Sequence, residues 1–205
     1  MKSDSKALEQ SRLFSQQLAI NNNRLFISFF SILMLGNVSA VVIKYTGKGS
    51  HYLTWNSIGI ELLLTTASFA LTFFLARFYI GKLRSAYISI TGTMIALWIF
   101  QYVIYGAPEM SAIHYLILAL SIFYFNMKIS IYSFILVIIS QTTLLYFRPE
   151  LIPGGPPSNL MVRYIVYTFV GIGTVIGSRA TRNILEIAIQ KSSESSKSLR
   201  NLRRM

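Results

Sequence analysis

Five polar side chains stand out in an otherwise apolar sequence: Glu61, Gln101, His114, Gln141 and Arg163. Together they offer a carboxylate, two amides, an imidazole and a guanidinium, a donor and acceptor set suited to holding a small polar ligand. Each lies in or at the edge of a different apolar run, and all fall at roughly one depth below the same side. Trp55, Trp98, Tyr102, Tyr105, Tyr115 and Tyr164 populate that layer too. One reading is a pocket open on that side, formed by Glu61, Trp98, Gln101, Tyr102, His114, Tyr115, Gln141 and Arg163, with Glu61 foremost. The other is structural: Trp and Tyr gather at both faces of membrane proteins, and Glu61 could pair with Arg163 or His114 to hold helices together.

Other chemistries find little support. The chain has no Cys, so disulfides, thiolate metal sites and Cys nucleophiles are excluded. Its two histidines, His51 and His114, stand in no metal-spaced motif such as HExxH, and no nucleophile elbow is present. The expectation is a non-enzymatic protein without metal or cofactor. The segment GIGTVIG at 171–177 superficially resembles a dinucleotide fingerprint, but it has one residue too many between its second and third glycines and lies inside an apolar run. Gly173 and Gly177 read better as a GxxxG pair for close helix packing, within the bundle or across a dimer.

The elements that must position these groups are membrane helices. With 53% hydrophobic and 13% charged residues and a mean hydropathy of +0.53, the chain is too apolar for an ordinary soluble domain. Six apolar runs follow a polar head, and a bilayer requires each to be helical because nothing else satisfies its backbone there. They are Leu25 to Ile43, Ile58 to Ala76, Ala86 to Tyr105, Ile113 to Met127, Ile129 to Phe147, and Tyr164 to Ser178. The fourth and fifth are separated only near Lys128; as one helix they would reach about 50 Å, beyond a hydrocarbon core of about 30 Å, so a tight turn is expected there.

Charge orients the bundle. Of nineteen Lys and Arg, only Lys44, Lys48, Arg148 and Arg163 fall on one side, which places both termini on the other, cytoplasmic side. This accounts for the net charge of +12 without nucleic acid and sets the basic end near anionic membrane lipid. The outer loops, Lys44 to Ser57, Gly106 to Ala112 and Arg148 to Arg163, are too short for a separate ligand-binding domain. The third holds four of the five prolines and reads as a stiff cap. Residues 1–24 are expected to form an amphipathic segment, with Leu8, Leu13, Phe14 and Leu18 against the membrane or the last helix. Residues 25–182 form the membrane domain and 183–205 a cytoplasmic output helix.

That output helix continues from span six without Pro or Gly. Leu185, Ala188, Ser192, Ser195, Leu199 and Leu202 follow the 3, 4 spacing of a short coiled-coil seam, weakened by its serines. A carrier would need polar groups along a full route, broken helices and an inverted repeat. Here polarity stops in the outer half, which favours sensing over transport.

The passage YFRPELIPGGPPSNLMVRYIVYTFVGIGTVIGSRATRNILEIAIQK resembles the membrane regions that precede the signalling domain in some bacterial methyl-accepting chemotaxis proteins. Its carriers are the Pro-rich loop ending in Arg163-Tyr164, the small-residue span, and the Arg-rich start of a helix bearing Glu186. The resemblance implies a receptor-like transducer in the bacterial cytoplasmic membrane, dimeric, passing a signal from a small ligand or the membrane to a cytoplasmic signalling partner. The alternatives are the input module of a nucleotide cyclase or histidine kinase, or a small transporter. The sequence to Met205 holds no long hairpin or kinase-contacting tip, so no kinase-control or methylation residue carries over, and the expectation is a truncated receptor or a chain acting through a partner.

Overall fold

The computed structural model describes residues 2–47, 53–104, 112–151 and 158–202, with side chains from Ser15 to Ala188 within those stretches, Ser158 excepted, and at Lys191. Every regular element among them is helical: α1 (Lys2–Tyr45), α2 (Trp55–Phe78), α3 (Leu83–Val103), α4 (Ile113–Ser121), α5 (Met127–Phe147) and α6 (Ser158–Leu202), with 3-10 turns at Ile122–Tyr124 and Pro149–Leu151. Five stretches are long and apolar enough to cross a membrane: Ser15–Tyr45, Trp55–Phe78, Leu83–Val103, Met127–Phe147 and Asn159–Ala188. The shortest are 21 residues, and at about 1.5 Å per residue they match a hydrocarbon core of about 30 Å.

The bundle is built around α3. Its apolar window is 56% buried, against 22% for α2 and 17% for α6. Small residues make this possible. Ser85, Ser89, Gly92, Thr93 and Ala96 are all buried and let neighbouring helices come close. At Gly92 the approach is tightest, since a Cβ there would stand 2.0 Å from Thr72 Oγ1 of α2. The hydroxyls cost little in these helices because most bond back to the preceding turn, as Thr72 does to Ser68 O at 2.7 Å and Thr93 to Ser89 O at 2.7 Å.

Two turns carry the α2–α3 and α4–α5 connections, and both sit at what we term the Gly81 end of the bundle; the other is the Trp55 end. Gly81 has φ +75°, a conformation open to glycine, and a Cβ on it would lie 2.2 Å from Ser15 Oγ of α1. The glycine therefore serves the turn and also lets α1 dock on it. Between α4 and α5, Phe125 adopts φ 50° and the Asn126 side chain caps α5 by accepting from Lys128 N at 3.0 Å. The tight turn expected near Lys128 thus falls at Phe125–Asn126, where the asparagine supplies the cap.

Three expectations change in detail. The fourth apolar helix covers only Ile113–Tyr124, about 18 Å at about 1.5 Å per residue, shorter than the other five. The polar head does not form a helix of its own. α1 runs unbroken for 44 residues, and Leu18, Asn22, Leu25, Phe29 and Leu33 form one buried stripe, so the membrane helix simply continues past Leu25. The side chains of Leu8, Leu13 and Phe14 lie outside those described. Finally, the glycine that brings α6 onto α5 is Gly171, where a Cβ would stand 2.3 Å from Phe134 Cδ2. Gly173 has nothing within 4 Å, and Gly177 meets Ile122 at an ordinary 3.5 Å. The reason is helical phase: the buried residues of α6 are Tyr167, Gly171, Thr174 and Ser178, and Gly173 points away from that line.

Candidate functional site

Toward the Trp55 end, α3, α4, α5 and α6 bring polar side chains into contact. Gln101, His114 and Gln141 are all at most 2% exposed. Gln101 Nε2 lies 3.4 Å from His114 Nδ1, and His114 Nε2 lies 3.3 Å from Ser140 Oγ. With the amide nitrogen as donor, Nδ1 accepts and the ring carries its proton on Nε2, the tautomer that donates to Ser140. One residue along α5, Gln141 Oε1 accepts from the Tyr167 hydroxyl at 3.2 Å, while its Nε2 has no partner among the described residues. Tyr167, wholly buried, joins the two halves: its ring packs on Tyr115 at 4.9 Å and meets His114 edge-on at 6.1 Å. The line of contact is therefore Gln101, His114, Ser140, Gln141 and Tyr167, across four helices.

The other expected site residues are placed differently. Arg163 lies near Tyr115 at the start of α6. Trp98 and Tyr102 stack on each other at 4.9 Å and 10° rather than opening toward the polar line. Phe147 meets Trp98 edge-on at 6.2 Å, and the Arg148 guanidinium sits 4.4 Å over the Tyr102 ring. With Leu144, Leu151 and Leu160 they form a packed cap beneath the Pro149–Leu151 turn. Glu61 belongs to a separate contact. It is wholly buried, accepts from Thr65 Oγ1 at 2.9 Å one turn along α2, and has Asn37 of α1 beside it. Among the described residues its partners are the uncharged Thr65 and Asn37, not Arg163 or His114.

A second polar layer, near the Gly81 end, escaped the sequence reading. Asn22 Nδ2 donates to Ser85 Oγ at 2.6 Å, and the Tyr124 hydroxyl donates to Asn22 Oδ1 at 2.6 Å, tying α1 and α3 to the end of α4. Asn21 Nδ2 donates to the Phe123 carbonyl. Ser130 of α5 meets Ser178 of α6, with Ser121 3.5 Å from Ser130. Beside this layer a cleft of about 190 Å³ is lined by Asn21, Arg24, Leu25, Ser28, Leu120 and Phe123. The available signal was the Asn21–Asn23 run. Read as part of a polar head, it in fact forms the first turns of a membrane helix.

The fold and these two layers define a class, a multi-pass helical membrane protein with polar contacts buried at two levels. Scans against protein-family models, curated proteins and solved structures find no match, so the class rests on the chain's own sequence and structure. Among the described residues, no group of three His, Asp or Glu could hold a metal ion.

Proposed function

We propose that the chain is a non-enzymatic sensory module of six membrane-associated helices, related in kind to chemotaxis receptors, that passes a signal to a cytoplasmic partner. In this reading it sits in the bacterial cytoplasmic membrane with both termini inside, and the Trp55 end faces outward. The observation that carries it is α6. This helix is continuous for 45 residues, grips the bundle at both polar layers through Tyr167 and Ser178, and then leaves it. Beyond Ser178, Arg179, Arg182, Glu186 and Ala188 are exposed, and Arg182 pairs with Glu186 at 2.8 Å along the helix surface.

A rigid helix held at two levels is a lever. Hydrogen bonds between membrane helices average about 0.6 kcal/mol, so the two polar grips together contribute on the order of 1 kcal/mol. A small ligand preferring one packing tenfold, about 1.4 kcal/mol, is enough to shift such a contact. The ligand would engage the Gln101, His114 and Gln141 line, and rotation of α6 would reach the seam of Leu185, Ala188, Leu199 and Leu202. The last two side chains lie outside those described. Gly173, on the open face between exposed Phe169 and Ile176, supports pairing of α6 with a second copy.

Fusion of a dimerisation-dependent reporter after Met205 tests this. A sensor gives an output that changes with stimulus and is altered by Gln141→Leu and by Tyr167→Phe. A constant output across a broad ligand screen, together with substrate flux in proteoliposomes, would overturn it.

A further inference from the structure

The cleft beside the second polar layer holds a cation with no counter-ion among the described residues. Asn21, Arg24, Leu25 and Ser28 fall on one face of α1, and Leu120 and Phe123 from the end of α4 form the opposite wall. Asn21 closes one side of it. Its Nδ2 donates to the Phe123 carbonyl and its Oδ1 accepts from Gln17 Nε2 at 3.2 Å, so both of its polar atoms are occupied. Arg24 and Ser28 are not: neither side chain has a partner among the described residues. Ser31 and Ser39 on the same helix, by contrast, bond back to carbonyls four residues earlier, at 2.9 and 2.8 Å. Of the acids whose side chains are described, Glu61 and Glu150 lie toward the Trp55 end, and Glu186 pairs with Arg182. The anion that meets the exposed Arg24 must therefore come from elsewhere.

Depth says where. Lys44 follows Arg24 by twenty residues along α1, about 30 Å at about 1.5 Å per residue, which is the thickness of a hydrocarbon core. The two cations bracket the apolar length of the helix, and Arg24 stands where acyl chains give way to lipid phosphates. A guanidinium facing outward is costly in hydrocarbon and favourable against a phosphate, which its fork of N–H groups can hold with two bonds. We propose that this cleft binds one anionic phospholipid: the Arg24 guanidinium and the Ser28 hydroxyl hold the headgroup phosphate, and Leu25, Leu120 and the 50% exposed Phe123 carry the start of its chains. At about 190 Å³ the cleft is smaller than the pockets of about 300–1,000 Å³ that enclose drug-sized ligands, so it takes only the headgroup end of the lipid. Arg77, Lys82, Arg84 and Lys128, all exposed at the Gly81 end, set a positive field that favours a lipid of net negative charge over a zwitterionic one. The site needs only that the chain crosses a membrane, and it holds whether or not the chain is a sensor.

Native mass spectrometry of the full chain released from detergent micelles tests the site, with phosphatidylglycerol and phosphatidylcholine of identical acyl chains supplied in equal amounts. The expected result is one phosphatidylglycerol retained per chain in preference to phosphatidylcholine. Arg24→Gln should lower that retention by about tenfold or more, the loss expected for a charge-assisted contact. Arg84→Gln, which removes an exposed cation outside the cleft, should lower it far less. Circular dichroism checks that the variants fold; if Arg24→Gln does not, Arg24→Lys, which keeps the charge without the fork, and Ser28→Ala decide the matter, each with weaker retention than the wild-type protein. Equal retention of the two lipids would overturn the proposal, as would equal losses in Arg24→Gln and Arg84→Gln. Release of the bound lipid by inorganic phosphate would also overturn it, because the cleft would then be a site for a free anion. Retention is read without any stimulus, so its failure is distinct from failure of the reporter assay.

Discussion

Gly171 and Gly173 lie two residues apart on α6, and alanine at each should act with opposite sign. At Gly171 the new Cβ would stand 2.3, 2.7 and 2.8 Å from three ring atoms of Phe134, where ordinary contact begins at 3.4 Å. The helices must therefore open by about 1 Å, or the Phe134 ring must leave a place where it packs against the core. Overpacking of this kind costs about 1–3 kcal/mol. Opening also strains the Tyr167–Gln141 and Ser130–Ser178 contacts on either side, adding about 0.6 kcal/mol for each one lost. At Gly173 a Cβ meets nothing within 4 Å, and replacing glycine by alanine in a helix is favourable by up to about 1 kcal/mol. The assay is reversible unfolding in bicelles, followed by helical circular dichroism or steric trapping. After allowing the same helix gain at both positions, Gly171→Ala should lose about 1–3 kcal/mol and Gly173→Ala should be neutral or gain. In a double-mutant cycle, Phe134→Ala should remove most of the Gly171→Ala penalty. Equal effects at the two glycines, or strict additivity with Phe134→Ala, would refute the α5–α6 register described above.

Further expectations follow from the same geometry. Tyr124→Phe removes the donor to Asn22 Oδ1 at 2.6 Å and leaves a buried acceptor, so unfolding in bicelles should show a loss of about 1–2 kcal/mol, partly recovered by adding Asn22→Leu. Gly81→Ala meets both the φ of +75° and Ser15 Oγ at 2.2 Å; it should destabilise by about 1–3 kcal/mol, and Ser15→Gly should recover only the part due to contact. Asn126→Ala removes the α5 cap and should cost about 1 kcal/mol, read in the same unfolding assay. Breaking the exposed Arg182–Glu186 pair with Glu186→Gln should change stability by no more than about 0.5 kcal/mol, and a larger loss would mean the pair is covered in the functional assembly.

Much of the architecture was legible because membrane helices obey length and polarity rules that a one-dimensional reading can apply. Five of the six apolar runs correspond to long helices, and the break between the fourth and fifth follows from the length a bilayer allows. The unbroken α6 was legible for a similar reason, since nothing between Tyr164 and Leu202 interrupts a helix except tolerated glycines. The N-terminal boundary was not. The segment before Leu25 is polar by composition, and only its packing against Gly81 and Ser85 shows that Ser15 and Asn22 belong to the bundle.

The candidate site divides along the same line. That Glu61, Gln101, His114 and Gln141 are buried was inferable, because a polar group in an apolar run is stable only when it turns away from lipid. Which of them meet was not inferable, because depth along a helix says nothing of its rotation or its neighbours. The three-dimensional packing joins His114 to Gln101 and Ser140, sends Trp98 and Tyr102 into a stacked cap, and gives Glu61 to Asn37 and Thr65. Likewise a GxxxG spacing says that two glycines share a face, but the phase of α6 turns Gly171 toward Phe134 and Gly173 to the open side. Sequence alone determined where the apolar helices run and, toward the Trp55 end, how deep their polar groups lie, since both follow from hydropathy along one axis; it did not give the start of α1 or the layer of Asn22, Ser85 and Tyr124. Only the tertiary structure decided the partners, because azimuth around each helix is set by close packing between small residues on neighbouring helices.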